Sequence, residues 1–256
     1  MKAGADHIEI NGEAIAALPR PFQKKFSQEA SVGLRGLHED DGVSFSVHLP
    51  FLGGVNFTTS IDPIRRASIE VVKHIVDQCS PLAPVNYILH ISGLLEELAE
   101  LGVRGDAVSA AYLDYAAESL AQITEFIPAG KLCIENLEYI SFSKIYPLVK
   151  EFNARVCMDV GHILLRNEEI EDFIQNYGCR VSHVHMHDVS KRRYERRVTV
   201  IDDHKELGSG IIDLDAIIRM LRELDFRGPV VLEIYGTDPV NSISILKNSI
   251  NRSMEG

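Results

Sequence analysis

Short apolar runs of strand-like pattern recur along the chain and alternate with amphipathic segments of helical period. The runs are DHIEI (6–10), SFSVHLP (44–50), NYILHIS (86–92), KLCIENL (131–137), ARVCMDV (154–160), RVSHVHMHD (180–188) and PVVLEIYG (229–236). The helical segments are residues 63–78, 107–126, 142–152, 170–177, 214–224 and 239–251, several with a proline or an acidic residue in the first turn. This alternation predicts parallel strands joined by crossover helices.

Side chains that bind metals or transfer protons stand at or near the carboxyl end of every strand-like run. They are Glu9, His48, His90, Glu135, Asp159 with His162, His185 and Glu233. In a parallel barrel all strands open onto one face at that end, where such barrels build their active sites. A doubly wound sheet would not bring so many strand ends to a single point. The predicted fold class is therefore α/β, a TIM-type (β/α) barrel.

The predicted strands are one fewer than the eight of a complete barrel. The first run, in GADHIEI, suits a second strand better than a first. We therefore expect a barrel whose first strand is lacking or is replaced by another segment. No linker rich in glycine, serine or proline divides the 256 residues, so a single domain over 1–256 is expected.

The charge of the chain bears on its partners. A formal net charge of −11 disfavours nucleic acid, whose partners normally present a basic surface. One local exception is KRRYERR (191–197), with five positive side chains in seven residues. This segment is either a solvated loop or a contact for an anionic substrate, with Arg192 and Arg193 as candidate contacts.

The cellular compartment and the redox state of the cysteines can be predicted from segments of the sequence. Neither a signal peptide nor a membrane-spanning run is recognisable, so a cytoplasmic protein without membrane contact is predicted. The four cysteines, Cys79, Cys133, Cys157 and Cys179, have no close spacing. We expect them to be reduced and mostly buried packing residues.

The stretch SHVHMHD (182–188) places His183, His185 and His187 on alternate residues, hence on one face of a strand. Buried imidazoles need partners for both ring nitrogens, which a metal ion or carboxylates can supply. The face is therefore either open to solvent or part of a site. Histidine and carboxylate without thiolate form the ligand set of Zn, Mn, Fe or Co ions.

Four blocks carry a resemblance to a known family. They are MDVGH (158–162), HMHD (185–188), DDHKELGSG (202–210) and VVLEI (230–234), in that order. In these blocks the chain resembles the xylose isomerase-like TIM barrels, the superfamily (AP endonuclease family 2) that includes endonuclease IV. The resemblance extends over essentially the whole chain from Gly4 onward. It implies a TIM barrel with divalent metal ions.

The resemblance to endonuclease IV implies nine metal ligands, and all nine residue types are present. They are His48, His90, Glu135, Asp159, His162, His185, Asp202, His204 and Glu233. That family holds up to three zinc ions and cleaves phosphodiesters with metal-activated water. Zinc is therefore the expected metal, with Mn, Fe or Co as alternatives. Glu135, which would bridge two ions, Glu233 and His185 are the predicted catalytic residues.

Departures from endonuclease IV point away from DNA. His187 replaces the asparagine of the family's His-Leu-Asn-Asp motif, and would either support the ligands or contact substrate. No counterpart of the longer DNA-penetrating loops is present, and the chain is acidic. We therefore expect a small-molecule phosphodiester, such as a nucleotide-loop cofactor of the cobamide kind. The predicted substrate contacts are His187, Arg192, Arg193 and Glu9.

Sugar isomerases and epimerases of the same superfamily give the alternative prediction. They hold one metal with two glutamates, an aspartate and a histidine, for which Glu135, Asp159, His185 and Glu233 qualify. The two glutamates also move protons beside the substrate carbonyl. His48, His90, Asp202 and His204 are surplus to that chemistry, so phosphodiester cleavage ranks first. The alternative is a sugar or sugar-phosphate isomerase or epimerase, and a third reading is a barrel that binds a ligand without catalysis.

Overall fold

A computed structural model describes residues 4–17, 31–51, 54–91, 106–190 and 203–255. Seven strands lie within these ranges: β1 (His7–Asn11), β2 (Ser44–His48), β3 (Asn86–Leu89), β4 (Leu132–Glu135), β5 (Arg155–Asp159), β6 (Val181–Met186) and β7 (Val230–Leu232). They form one sheet in the order β1 to β7, and the strand pairs with a defined register are parallel. The fold is a TIM-type (β/α) barrel, as predicted.

Helices follow the strands along the described ranges. They are α1 (Gly12–Ala17), α2 (Ser31–Asp41), α3 (Asp62–Cys79), α4 (Asp106–Ile123), α5 (Phe142–Glu151), α6 (Val160–Leu165), α7 (Ile170–Tyr177), α8 (Leu214–Glu223) and α9 (Val240–Glu255). Short 3₁₀ turns occupy Ser80–Leu82, Ala129–Lys131 and Gly178–Arg180. None of the described helices has the length and apolar character needed to cross a membrane.

The sequence pattern predicted α3, α4, α5, α7, α8 and α9 but not the other three helices. Two of these, α1 and α6, have six residues each, too few to show a helical period. The third, α2, includes Gly33 and Gly36, and glycine is among the weakest helix formers. Helices of this kind depend on tertiary packing for their stability.

Burial explains why the strands read as continuous apolar runs. Residues of β3 and β4 are buried throughout, and in β2 and β5 only the first residue is not buried. A parallel sheet is covered on both faces, so neighbouring residues on a strand are both shielded from water. The buried histidine and carboxylate side chains of these four strands, His48, Glu135 and Asp159, each stand at the last residue of a strand.

The chain divides into two compact units. The N-terminal unit comprises Asp6–Glu135 and Tyr139–Arg155, and the C-terminal unit comprises Met1–Ala5, Asn136–Glu138 and Val156–Gly256. The single domain expected from the sequence stays a prediction, as does the lack or replacement of a first strand.

Each unit has its own apolar core. In the N-terminal unit α3 buries one stripe with helical spacing: Arg65, Ser68, Ile69, Val72, Ile75, Val76 and Cys79. In the C-terminal unit α8 buries Ile217, Ile218 and Leu221. Asp213 is the N-cap of this helix, and its side chain accepts a hydrogen bond from the N–H of Ala216.

Candidate functional site

A buried cluster of two histidines and one carboxylate lies at the ends of strands in the N-terminal unit. The Nε2 atom of His48 is 3.2 Å from the Nε2 atom of His90, which lies 2.9 Å from Oε2 of Glu135. The same carboxylate oxygen is 3.5 Å from Nε2 of His48. We call these three residues the His48 cluster. Its atoms are among the groups able to hold a metal ion.

The spacing in the His48 cluster fits a divalent ion. A tetrahedral ion that binds nitrogen and oxygen near 2.0–2.1 Å holds its ligand atoms about 3.3 Å apart. The Nδ1–H group of His48 donates to the carbonyl oxygen of Leu49 at 3.1 Å, so the neutral ring presents an unprotonated Nε2 to the cluster. A backbone carbonyl behind a ligand is a common support for a metal-binding histidine.

Phe51 covers the His48 cluster from one side. Its ring centroid is 4.1 Å from that of His90 and 5.4 Å from that of His48. The backbone N–H of Phe51 donates to the carboxylate of Glu13, which anchors the segment after β2. An apolar ring in this place excludes water and strengthens electrostatic interactions inside the cluster.

Glu9 lies on β1 and faces a polar pair. The hydroxyl of Ser46 donates to Oε2 of Glu9 at 2.7 Å, and Nε2 of His7 is 2.9 Å from the same hydroxyl oxygen. Ser46, supported by His7, therefore holds the carboxylate of Glu9 in one orientation. The predicted substrate contact at Glu9 stays a prediction.

In the C-terminal unit, Asp159 ends β5 and begins α6. Its Oδ1 atom accepts the backbone N–H of His162 at 2.7 Å, which makes Asp159 the N-cap of that helix. Asn136 binds the backbone of the same residue, donating to the carbonyl oxygen at 2.9 Å and accepting the N–H at 2.8 Å. The carboxylate of Asp159 is therefore fixed before any ion or substrate binds.

His162 projects from α6 toward acceptors. Its Nδ1 atom lies 3.0 Å from the carbonyl oxygen of Asn136, so this nitrogen carries the proton in the neutral ring. Its Nε2 atom is then the one with a lone pair, and it lies 3.5 Å from Oε2 of Glu138. Two acceptors at this separation are suited to a shared proton or a bound cation.

His187 follows β6 and is completely buried. Its Nε2 atom is 3.2 Å from Oδ1 of Asp159, and its Nδ1 atom accepts the backbone N–H of His204 at 2.9 Å. Burial lowers the pKa of His187, but the charge and hydrogen bond of Asp159 outweigh it, so the net effect is a raised pKa.

His204 and Glu233 lie beside these residues. The ring of His204 stacks between His187, at 4.1 Å, and the exposed Tyr235, at 4.7 Å. Glu233 follows β7, and its Oε2 atom is 3.0 Å from Nδ1 of His185 and 3.9 Å from Nε2 of His204. The hydroxyl of Tyr235 donates to Oε1 of Glu233 at 3.4 Å. Glu233 thus lies close to one histidine and accepts a hydrogen bond from one phenol.

Asp188 organises the segment that carries His204. Its carboxylate accepts four backbone N–H groups, from Val189, Gly208, Gly210 and Ile212, at 2.9–3.1 Å. A carboxylate with several N–H donors is a strong, charge-assisted anchor. The described part of this block, residues 203–210, is therefore anchored by an aspartate that follows β6.

The structure brings the predicted site residues together within each unit. His48, His90 and Glu135 form one cluster, and Asp159, His162, His187 and His204 lie in mutual contact in the other unit. Asp202, Arg192 and Arg193 lie outside the described residues. The assigned roles of all these residues as ligands, catalysts or substrate contacts stay predictions.

Four residues of these clusters had no assigned role in the sequence analysis: Phe51, Asn136, Glu138 and Tyr235. Asn136 directly follows Glu135 in the run IEN. An amide next to a carboxylate at a strand end could have indicated that Asn136 belongs to the site. The other three also contact residues distant in sequence: Phe51 lies against His90, Glu138 faces His162, and Tyr235 stacks on His204. Nothing in their local pattern distinguishes them from ordinary surface or packing side chains.

Fold and side chains define a TIM-type barrel with histidine and carboxylate clusters at the carboxyl ends of its strands. A family model described as xylose isomerase-like TIM barrel matches residues 1–253. The chain belongs to this family.

The chain is also similar to a curated protein and to solved structures. The uncharacterized protein MJ1311 of Methanocaldococcus jannaschii is 24% identical over 219 residues, which are 80% of this chain and 69% of that protein. The crystal structure of a D-tagatose 3-epimerase-like protein has a TM-score of 0.73 at 20% identity and covers 98% of both chains. That of an L-ribulose 3-epimerase has a TM-score of 0.74 at 14% identity, over 99% of this chain and 87% of the other. At these identities the solved structures establish the fold.

Proposed function

We propose that the protein is a divalent-metal sugar or sugar-phosphate isomerase or epimerase. This was the alternative in the sequence analysis, and the comparisons support it better than phosphodiester cleavage, which ranked first there. The structural neighbours named as sugar epimerases share its fold over nearly its whole length. The observation that carries the proposal is the pairing of Glu233 with His185, a carboxylate and an imidazole 3.0 Å apart, with His185 inside β6 and Glu233 directly after β7.

The proposed metal ligands are Asp159, His185 and Glu233 of the C-terminal unit, with Glu135 as the fourth ligand that the sequence predicts. They end, lie in or directly follow the four consecutive strands β4 to β7. Oxygen and nitrogen donors without thiolate suit Mn, Co, Zn or Fe ions. Such an ion, when bound, polarises a substrate carbonyl and so acidifies the neighbouring C–H bond.

The proton chemistry falls to Glu135 and Glu233. One carboxylate takes the proton from the carbon next to the carbonyl, and the electron pair of that C–H bond moves toward the carbonyl oxygen. In an epimerisation the other carboxylate returns a proton to the same carbon from the opposite face. Tyr235 and His185 orient Glu233 for this role through the contacts described above. We assign His162, whose Nε2 atom has the lone pair, to accept a hydrogen bond from a substrate hydroxyl.

The test is deuterium exchange from solvent. The protein is loaded with Mn²⁺ or Co²⁺ and incubated in D₂O with a panel of ketoses, aldoses and their phosphates. Proton NMR and mass spectrometry then report deuterium at the carbon next to the carbonyl. The expected result is exchange and a second isomer with at least one sugar. Exchange should fall by about 10²-fold or more in Glu233→Gln and Glu135→Gln, since both remove an acid–base group.

Glu223→Gln is the matched control, because it makes the same chemical change on the exposed surface of α8. This variant should exchange deuterium at the wild-type rate. Absence of exchange with every sugar in the panel, in a protein shown to contain its metal, would reject the isomerase proposal.

A metal-dependent phosphodiesterase that acts on a small molecule is the second candidate. It is favoured by His48 and His90, which the isomerase chemistry does not require and whose Nε2 atoms lie with Glu135 at a spacing that fits an additional ion. Two or three equivalents of metal per chain, together with hydrolysis of bis(p-nitrophenyl) phosphate that His48→Ala abolishes, would favour this function. One equivalent, retained in His48→Ala and lost in Asp159→Ala, would favour the isomerase.

A further inference from the structure

His187 is the residue at which this chain departs from the family's His-Leu-Asn-Asp motif. We propose that His187 is a positioning residue that holds Asp159 for the metal ion and links it to the segment 203–207, which carries His204. The inference rests on the proposed metal site at Asp159 but not on the reaction performed there. Of the two roles that the sequence left open for His187, support of the ligands and contact with substrate, it selects the first.

The first support is the pair of donors that converge on one oxygen of Asp159. Oδ1 receives the backbone N–H of His162 at 2.7 Å and lies 3.2 Å from Nε2 of His187. With both donors on one oxygen, the rotation of the carboxylate about its χ2 angle is restricted. The other oxygen, Oδ2, is thereby aimed in one direction, which favours binding of an ion by preorganisation.

The second support is the protonation of the ring. The backbone N–H of His204 donates to Nδ1 of His187 at 2.9 Å, and an atom that accepts a hydrogen bond carries no proton in the neutral ring. The proton therefore resides on Nε2, the atom that faces Asp159. The ring of His187 thus connects the carboxylate of Asp159 with the backbone of His204, which lies 17 positions after His187.

The third support is the close enclosure of the ring. A Cβ atom added to Gly161 would lie 2.0 Å from Cε1 and 2.4 Å from Nε2 of His187. On its other side the ring stacks on His204, with centroids 4.1 Å apart and an interplanar angle of 6°. The side chain is 0% exposed. A residue packed in this way acts through its neighbours and has no surface for a substrate.

The geometry of His204 completes the link. Its φ angle is +52°, in the left-handed region that a histidine rarely adopts. The hydrogen bond from its N–H group and the stack on His187 help to hold this strained conformation. Loss of the His187 ring therefore removes one donor from the carboxylate of Asp159 and the acceptor of the His204 N–H group.

The experiment combines metal affinity with amide exchange. Isothermal titration with Mn²⁺ and Co²⁺ measures affinity in wild type, His187→Asn and His187→Gln. Hydrogen–deuterium exchange follows the backbone of residues 203–207. We expect metal binding to weaken roughly 10- to 100-fold in both variants, the usual effect of removing a group that supports a ligand. We also expect exchange at the His204 amide to accelerate by about tenfold or more, because its acceptor is lost.

His7→Asn is the matched control. Both ring nitrogens of His7 are bonded, as in His187, but to the hydroxyls of Ser44 and Ser46 in the N-terminal unit. This variant should leave the exchange of the His204 amide unchanged. Should His187→Asn fail to fold, two other variants serve in its place. His187→Gln replaces the ring with a longer amide, and Gly161→Ala displaces the ring sterically.

The outcomes separate the two proposals. Wild-type affinity and wild-type His204 exchange in a folded His187 variant would overturn the positioning role, and so would faster exchange without weaker metal binding. Weaker metal binding and faster exchange in a protein that catalyses no sugar exchange would support the positioning role and reject the isomerase. Failure of the wild type to bind either ion would overturn both proposals.

Discussion

The side-chain amide of Asn136 makes two hydrogen bonds with the backbone of Asp159, one to its carbonyl oxygen at 2.9 Å and one from its N–H at 2.8 Å. The pair joins the residue after β4 to the last residue of β5 and is buried on both sides. It sets the backbone of Asp159 at the point where the strand turns into α6. The orientation of this carboxylate thus begins with a residue 23 positions earlier in the chain.

Replacement of Asn136 by Leu should destabilise the protein. Both buried backbone groups of Asp159 would lose their partner, which costs roughly 2–4 kcal/mol in the free energy of unfolding. Urea denaturation followed by circular dichroism measures this loss. Asn176→Ala removes an exposed side-chain hydrogen bond on α7 and should change stability by less than about 0.5 kcal/mol. Equal effects of the two substitutions would contradict the importance of the Asn136 pair.

Gly161→Ala should destabilise the protein through a collision with His187. The added methyl group would meet that ring at 2.0 Å, and overpacking of this kind costs about 1–3 kcal/mol. In a His187→Ala background the same substitution should cost much less, so a double-mutant cycle isolates the contact. Gly130→Ala, at a glycine with open space around it, is the control. Additive effects of the two substitutions would refute the collision.

Asp188→Asn should loosen the segment that carries His204. The carboxylate accepts four N–H groups, whereas an amide has one oxygen and would turn its NH₂ group toward N–H donors. We expect a loss of about 3 kcal/mol or more in unfolding free energy. Faster hydrogen exchange at Gly208 and Gly210 would locate the change, and unaltered exchange there would contradict it.

Chelation should lower the melting temperature. A metal that binds only the folded state at 100 times its dissociation constant stabilises it by about 2.7 kcal/mol, equivalent to roughly 5–10 °C for a chain of this size. Scanning calorimetry with and without EDTA measures the difference, and readdition of Mn²⁺ or Zn²⁺ should restore it. Asp159→Ala should show a smaller difference. A melting temperature indifferent to EDTA would argue against a preformed metal site.

One thiol should react rapidly in the native protein. Cys179 is exposed, whereas Cys79, Cys133 and Cys157 are buried. Burial raises the pKa of Cys79 to about 12, so almost none of it is thiolate at pH 8. Titration with Ellman's reagent should therefore show one fast thiol, which Cys179→Ser removes. Rapid reaction of a second thiol without denaturant would contradict the burial of the other three.

Asp215 supports a pH-dependent contact between α8 and α9. Hydrogen bonds from Arg252 and Ser249 lower the pKa of this carboxyl below its ordinary value of 3.8. A lowered pKa in the folded state means that the contact stabilises the protein above pH 3.8 and is lost as the pH falls through the folded-state pKa. Arg252→Ala should raise the pKa toward its ordinary value, as NMR titration would show. An unchanged pKa would exclude the Arg252 contact.

Local pattern was sufficient for the strands and for the long helices. Short apolar runs predicted all seven described strands, and segments of helical period predicted six of the helices. Both patterns are visible in the sequence because they follow which residues are buried. The carboxyl ends of β2, β4 and β5 were equally visible, since His48, Glu135 and Asp159 interrupt apolar runs. Short helices such as α6 were not visible, because they are held by packing and by a single cap.

The sequence by itself determined the fold family, the strand ends and the histidines and carboxylates that stand there. Only the tertiary structure decided what these side chains do for one another. Whether a ring nitrogen carries a proton depends on the atom it faces, and for His187 those atoms belong to Asp159 and His204. The absence of a side chain at Gly161 matters only because that ring occupies the space. Such relations join distant residues across parallel strands, so no local pattern encodes them.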